Sequence, residues 1–190
     1  MLQSPLLNPD ADTGNASINT RILALDVATG QPTAEYVYQF DDPAGYEAPD
    51  APDEMKLSGA VSLNESTLLI LERTDAVAKL YSVNLAVATN ILGGKWDDVA
   101  TAPSLESMTD LNGAGIVPLP KSLVIDLAQI AEMPDKIEGV AVVDAKTIAV
   151  INDNDFNLGE FDAEGNNSNT PGIKSHLLLI ELAEPLPLAE

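Results

Sequence analysis

An internal repeat constrains the fold more than any other feature of this sequence. The segment "KLSGAVSLNESTLLILERTD", which begins at Lys56, aligns without gaps on "KIEGVAVVDAKTIAVINDND", which begins at Lys136. The two copies share Lys, Gly, Thr and Asp at equivalent positions, and their apolar positions run in phase. Self-similarity of this kind indicates a supersecondary unit that the chain builds more than once.

Short apolar runs, alternating or continuous, predict β-strands along the whole chain. Turn residues such as Gly30 in "DVATGQPT" separate these runs. There is no long amphipathic helix pattern, and only "DLAQIAEM" and "KWDDVA" suggest a helical turn. The predicted strands are 21–27, 33–40, 56–63, 67–73, 78–85, 121–127, 136–143, 147–153 and 176–182.

The repeat groups these strands into units of four. The two aligned strands of each copy are followed by a third, "LYSVNL" or "LLLIEL", and "KSLVIDL" adds a fourth strand to the earlier copy. One four-stranded antiparallel sheet per repeat is typical of a β-propeller blade. We therefore expect an all-β fold, a partial β-propeller of about two and a half blades. Its parts are a blade end at 1–40, a full blade at 56–127 and a partial blade at 136–182; the alternative is a self-contained β-sandwich.

The expected number of blades is too small for a closed ring, which needs roughly four to eight. The chain is therefore expected to be the C-terminal portion of a longer protein that has further N-terminal blades, with "LQSPL" as a former second strand. On its own, such a fragment leaves sheet edges exposed, and exposed edges favour edge-mediated self-association.

The composition excludes several classes of function. A net charge of −21 and a pI near 4.1 disfavour binding to nucleic acid and to anionic membrane surfaces. No apolar run is long enough for membrane insertion, and the first residues lack the pattern of a signal peptide. The chain has no cysteine, and its one histidine, His176, adjoins a strand-like run. Disulfides, thiol chemistry and a histidine-based triad are therefore not expected.

The repeated segments resemble a known family. "KIEGVAVVDAKTIAVINDNDF" and "LLILERTD…KLYSVNL" are similar to the esterase-like-activity-of-phytase family, and "LQSPL" followed by "TRILALDVATGQPTAEYVYQFD" matches the preceding blade in the same order. The resemblance covers roughly residues 2–183. It implies a propeller with phosphoester-hydrolase activity on a phosphate-ester substrate. It also implies a periplasmic or extracellular location for the full-length protein.

The ends of the second strands carry the first candidate site. Equivalent strand ends of successive blades lie on one rim of a propeller, so their polar side chains are expected to converge there. Arg73 is predicted to bind a phosphate bidentately, and Glu72 or Asp153 to act as a general base or metal ligand. The alternative is that Glu72 and Arg73 pair locally and cap the strand. The predicted rim residues are Gln3, Ser4, Glu72, Arg73, Asn152 and Asp153.

Glu138 is a further candidate catalytic residue. It precedes Gly139 in a predicted strand, where the earlier copy has Ser58. A glutamate beside a glycine packs poorly in a core, so Glu138 is expected to face the channel or the rim.

A calcium loop is predicted after the strand at 147–153. Asp153, Asp155 and Asn157 alternate as the first ligands of an EF-hand do. The EF-hand itself is rejected, because Leu158 occupies the glycine position and no helices flank the segment. A calcium loop of another kind and a solvated acidic loop both remain open. Further carboxylates follow at Glu160, Asp162 and Glu164.

The net negative charge of the chain links the predicted phosphate-ester site to the predicted calcium loop. With thirty acidic against nine basic residues, the chain would repel a polyanionic substrate unless a cation bridged the two. The expected function is therefore a phytase-like phosphoester hydrolase assisted by Ca²⁺. The alternative is a non-catalytic calcium- or ligand-binding module of an exported protein, because a fold alone does not decide function.

Overall fold

The computed structural model describes residues 1–48, 51–159, 165–166 and 172–189. Within these ranges the chain is all-β, with one short helix, α1 (Ala11–Ala16), and several 3-10 turns. All the predicted runs form strands, with ends shifted by two residues at most, and the two expected helical turns are 3-10 turns. The strands are β1 (Asn19–Leu25), β2 (Pro32–Gln39), β3 (Lys56–Ser62), β4 (Thr67–Arg73), β5 (Ala78–Asn84), β6 (Lys121–Asp126), β7 (Ile137–Asp144), β8 (Thr147–Asn152) and β9 (Leu177–Glu181).

The described strands form three antiparallel sheets. β1 and β2 make a two-stranded sheet, β3-β4-β5-β6 a four-stranded sheet and β7-β8-β9 a three-stranded sheet. The expected strand at "LQSPL" is wrong, since residues 2–6 form no strand. Leu2 N donates to Arg21 O and Leu57 N donates to Gln3 O, but Pro5 has no N–H to continue a ladder.

Strand β4 has neighbours on both of its faces. Side chains of a strand point alternately to opposite sides. Leu69 and Leu71 pack with Ile148 and Val150 of the three-stranded sheet, whereas Ile70 packs in a second cluster with the two-stranded sheet. The four-stranded sheet therefore lies between the other two.

The repeat is visible in the structure as a shared β-bulge. In the first copy Leu57 pairs with Glu72 and Gly59 with Leu71, so that Ser58 is the extra residue. The second copy has the same irregularity, with Glu138 as the extra residue between Ile137 and Gly139. A bulge re-aims the side chain of its extra residue, so Ser58 and Glu138 leave the regular alternation at equivalent points.

The two ends of this stack of sheets differ. At one end the long connection between β5 and β6 covers part of the two-stranded sheet, where Val37 packs with Trp96 and Leu105. At the other end the outer face of the three-stranded sheet leaves Leu177 and Leu179 exposed. None of the helices in the described ranges has the length and apolarity needed to cross a membrane.

Gly59 permits the close approach of the four-stranded and three-stranded sheets. A Cβ atom at this position would lie 2.8 Å from Val140 Cγ1, and valine has little rotamer freedom with which to move aside. We predict that Gly59→Ala lowers the free energy of unfolding by about 1–3 kcal/mol. Urea denaturation measures this change.

The matched control is the double variant Gly59→Ala/Val140→Ala. Removing Val140 Cγ1 relieves the clash, so the double variant should lose less stability than the sum of the two single losses. Strictly additive losses would show that Gly59 does not govern this contact.

Candidate active site at the junction of the sheets

Glu72 and Arg73 end strand β4 and point to opposite faces of the sheet. Both are buried, at 0% and 2% relative exposure. They follow the alternation of Ile70 and Leu71, so Glu72 turns toward the two-stranded sheet and Arg73 toward the three-stranded sheet. They therefore do not bind each other, and each has its own partners within the protein.

Arg73 joins the two bulges across the sheet junction. Its Nε donates to Ser58 Oγ at 2.9 Å, and its two terminal nitrogens bind Asp75 and Glu138. The side chains of Asp75 and Glu138 are partly exposed. All three guanidinium nitrogens are thus engaged within the protein, so Arg73 presents no free edge for bidentate binding of a phosphate.

A second cation, Lys136, extends this network toward the loop after β8. Its ammonium lies 2.7 and 2.8 Å from the two carboxylate oxygens of Asp155 and 4.0 Å from Asp75. The hydrogen bond with Asp155 raises the pKa of Lys136 and lowers the pKa of Asp155. Asp153 lies beside this pair, where its Oδ1 accepts from Asp155 N at 3.1 Å.

Asn152 binds a different part of the chain. It is almost fully buried, its Oδ1 accepts from His176 N at 2.7 Å, and its Nδ2 donates to Lys174 O at 3.2 Å. These bonds tie the end of β8 to the residues before β9. The structure therefore brings Arg73 and Glu138 together, but it places Glu72 and Asn152 in separate networks. Gln3 is exposed, and Gln3 and Ser4 contribute backbone carbonyls to β3 and β1.

The described residues of the predicted calcium loop form a left-handed turn in which the Lys136 ammonium binds Asp155. Asp155, Phe156 and Asn157 have positive φ angles of 47°, 59° and 58°, and both Asp155 oxygens are held by the Lys136 ammonium. Across the described ranges, no three acidic or histidine side chains are placed to share a metal ion. The calcium site stays a prediction from sequence. Three of the residues considered for it, Glu160, Asp162 and Glu164, lie outside the described residues.

A polar cavity of about 310 Å³ adjoins the Arg73 network; we call it the junction cavity. Asp75, Asp135 and Lys136 line it together with Glu47 and Glu132. Glu47, Glu132 and Lys136 have positive φ angles of 60°, 59° and 54°. Left-handed backbone is unfavourable for such residues, and strain of this kind is concentrated at functional sites.

Glu72 forms a buried network with tyrosine and lysine side chains that the sequence analysis did not identify. It accepts from Tyr38 Oη, from Lys121 Nζ at 2.7 Å and from Asp41 N at 3.0 Å. Lys121 also lies 2.7 Å from Asp41 Oδ1, and Tyr81 donates to Asp41 Oδ2. This network joins β2, β4 and β6. Alternating tyrosines in "EYVYQF" were the one available signal in the sequence.

The ionisation of this network follows from burial and from the lysine. Burial and the nearby Glu72 carboxylate raise the pKa of Tyr38 far above its usual range, so Tyr38 stays a donor. Burial raises the pKa of Asp41, but hydrogen bonds from Lys121 and Tyr81 outweigh burial and lower it overall. Both carboxylate oxygens of the buried Glu72 thus accept hydrogen bonds inside the protein.

A second buried arginine, Arg21, lies under the outer side of the two-stranded sheet. It binds Glu35 at 3.1 Å, Glu106 at 3.0 Å and the carbonyl of Trp96 at 3.2 Å. Burial and the adjacent Asp97 raise the pKa of Glu35, although Arg21 opposes the change. No signal in the sequence marks this cluster, because Glu106 lies in the connection between β5 and β6, which has no periodicity.

Comparison with known proteins identifies the family. Residues 1–156 match the family described as "Phytase-like: Esterase-like activity of phytase". The chain belongs to this family. No curated protein and no solved structure matches it. The matched range of this phytase-like chain contains every candidate catalytic residue, the Arg73 network and the junction cavity, and it ends just before Asn157.

The contacts of Glu72 predict a structural role in the phytase-like chain. We expect Glu72→Gln to lower the free energy of unfolding by about 1–3 kcal/mol, because the change weakens a buried, charge-assisted acceptor. Tyr38→Phe, which removes one donor to Glu72, should cost about 1 kcal/mol. Urea denaturation measures both values. A loss of activity at unchanged stability would contradict the anchoring role and restore Glu72 as a catalytic candidate.

The raised pKa of Glu35 predicts that the stability of the protein depends on pH. Its folded-state pKa is raised above the ordinary 4.5, so its favourable contribution is full below that value and is lost as pH rises through the folded-state pKa. The stability of Glu35→Gln relative to the wild type should therefore improve between about pH 4 and about pH 7. Denaturation across this range, with the exposed Glu54→Gln as control, tests the prediction. A difference that does not change with pH would contradict it.

Proposed function

We propose that the phytase-like chain contributes to a hydrolase of phosphate esters, and that the junction cavity receives the phosphate group. The observation that carries this proposal is the position of Lys136 between Asp75 and Asp135 on the wall of one small polar cavity in a member of this family. A volume of about 310 Å³ lies at the lower end of small-molecule sites and suits a phosphomonoester.

We further propose that the three sheets are successive blades of a β-propeller. Two observations support this arrangement: the four-stranded sheet is stacked between the other two, and the same bulge recurs in the two repeat copies. The alternation of Glu72 and Arg73 then places one charged group at each interface between neighbouring blades.

The residues of the cavity would divide the chemistry as follows. Lys136 attracts a phosphate oxygen, and Asp75 accepts a proton from the water that attacks phosphorus as the ester oxygen departs. Arg73 binds Asp75 and so orients its carboxylate. Arg73 and Glu138 are therefore positioning residues in this proposal. Asp153 accepts a hydrogen bond from the backbone nitrogen of Asp155, which in turn binds Lys136.

Charge remains the reason to propose assistance by a cation. Glu47, Asp75, Glu132 and Asp135 line the cavity with one basic residue, Lys136, which already pairs with Asp155, so a phosphate dianion meets net negative charge. We propose Ca²⁺ as the neutralising ion. This part of the proposal rests on charge balance, since the described residues do not assemble a site for the ion.

A second candidate function is a non-catalytic ligand-binding module of an exported, periplasmic or extracellular protein. The observation that favours it is that Glu72 and Arg73, two of the sequence candidates for chemistry, are buried and bind partners inside the protein. In that case the junction cavity would bind a phosphate ester without turning it over.

Hydrolysis of p-nitrophenyl phosphate and of phytate tests the proposal. Asp75→Asn should lower kcat/KM about 10²–10⁴-fold, the range for loss of an acid–base group, and Lys136→Ala should lower it by weakening phosphate binding, while Lys146→Ala on an exposed turn serves as the control. Equal rates in all variants would remove the junction cavity from the mechanism. Saturable phosphate binding with no turnover would favour the binding module.

The role of calcium is tested separately. Chelation with EDTA should abolish hydrolysis, and added Ca²⁺ should restore it. Full activity in the chelator would exclude cation assistance and leave the roles of Lys136 and Asp75 intact.

A further inference from the structure

Lys136 already binds an anionic group of the protein itself, the carboxylate of Asp155. Its ammonium lies 2.7 and 2.8 Å from the two oxygens of Asp155 and 4.0 Å from Asp75 Oδ2. An ammonium group has three N–H donors, so two oxygens at these distances take up most of its hydrogen-bonding capacity. A phosphate group that enters the junction cavity therefore meets a lysine whose charge is already paired.

The backbone of Lys136 is held on both sides. Its N–H donates to Asp75 O at 2.7 Å, and its carbonyl accepts from Asp153 N at 2.8 Å. These bonds fix Lys136 to the neighbouring sheet and to the end of β8. An exchange of the partner of its ammonium therefore needs movement of side chains and of the turn that carries Asp155, but not of Lys136 as a whole.

Asp155 is held less firmly than Lys136. Its side chain is 50% exposed, and it begins a run of three residues with positive φ angles. An ion pair as exposed as this one contributes little to stability. Left-handed backbone is also unfavourable for a bulky residue such as Phe156, which follows Asp155 and is almost fully exposed. Displacement of Asp155 from Lys136 therefore has a small energetic cost.

We infer that Asp155 competes with phosphate for the Lys136 ammonium and so limits the affinity of the junction cavity for its substrate. The phosphate group replaces the Asp155 carboxylate on Lys136, and Asp155 turns toward solvent. This inference rests on the proposed function, because it takes the junction cavity as the phosphate site. It assigns control of the affinity to a residue that does not itself line the cavity.

Binding of inorganic phosphate tests the inference without any need for turnover. Met133 lines the junction cavity, so its methyl group reports occupancy in protein labelled with ¹³C-methyl methionine. We expect Asp155→Asn to bind phosphate about two- to fivefold more tightly than the wild type, as loss of one exposed ion pair allows. Asparagine keeps the shape of the side chain and is well tolerated at positive φ, so the turn should be preserved.

Two further comparisons locate the effect. In a Lys136→Ala background, Asp155→Asn should no longer strengthen phosphate binding, because the competition needs the ammonium. Asp144→Asn is the matched control: it removes one negative charge at the exposed far end of β7 and should bind phosphate as the wild type does.

Unchanged or weaker phosphate binding in Asp155→Asn would overturn the inference, and weaker binding would show that Asp155 positions Lys136 for the ligand. An equal gain in Asp144→Asn, or the same gain in the Lys136→Ala background, would also overturn it, since the effect would then be one of net charge. No saturable Met133 shift in the wild type and Asp155→Asn would contradict both the inference and the phosphate site. The expected gain without any hydrolysis would support the inference and contradict only the hydrolase proposal.

Discussion

The burial of charge on both faces of one strand organises this structure. Strand β4 ends in Glu72 and Arg73, and the period of two along a strand sends these side chains to opposite sides. A buried charge is tolerated only with partners that satisfy it. Tyr38 and Lys121 do so on one side and Glu138 on the other. The positions of both neighbouring sheets are thereby coupled to a single strand end.

The few basic residues of the chain are concentrated in such positions. Arg21, Arg73, Lys121 and Lys136 all hold carboxylates from distant parts of the sequence. The rest of the surface is consequently dominated by acidic groups, which matches the net charge of −21. Substitution of any one of these four residues would change contacts between elements as well as surface charge, so activity measurements on such variants need a parallel measurement of stability.

The strands and their grouping into sheets follow from local information. Alternation of apolar residues fixes each strand, and the repeat aligns the second copy with the first. The same rule of alternation separates Glu72 from Arg73, although their adjacency in sequence suggested a shared site. The regular spacing of Asp153, Asp155 and Asn157 predicts possible ligands but not how the loop is folded. A left-handed turn and the Lys136 ammonium, both outside the reach of a spacing argument, decide where Asp155 points.

Other parts of the sites depend on contacts between distant segments. The partners of Glu72 come from β2 and β6, and Arg21 meets Glu106 across 85 positions of sequence. The connection between β5 and β6 has no periodicity that would place Glu106 in advance. Glu138 differs, because a glutamate beside a glycine in an apolar strand predicted a candidate site residue, although the bulge that delivers it to Arg73 was not predicted.

The outer face of the three-stranded sheet is not covered by other described residues, so the two ends of the stack of sheets are not equivalent. Ile151 pairs across this face with Leu177, and the repeat makes Ile151 the counterpart of Leu71, which is buried against the next sheet. At the far end the connection between β5 and β6 covers Val37, so the two ends of the stack present different surfaces, a bare apolar face and a packed connection.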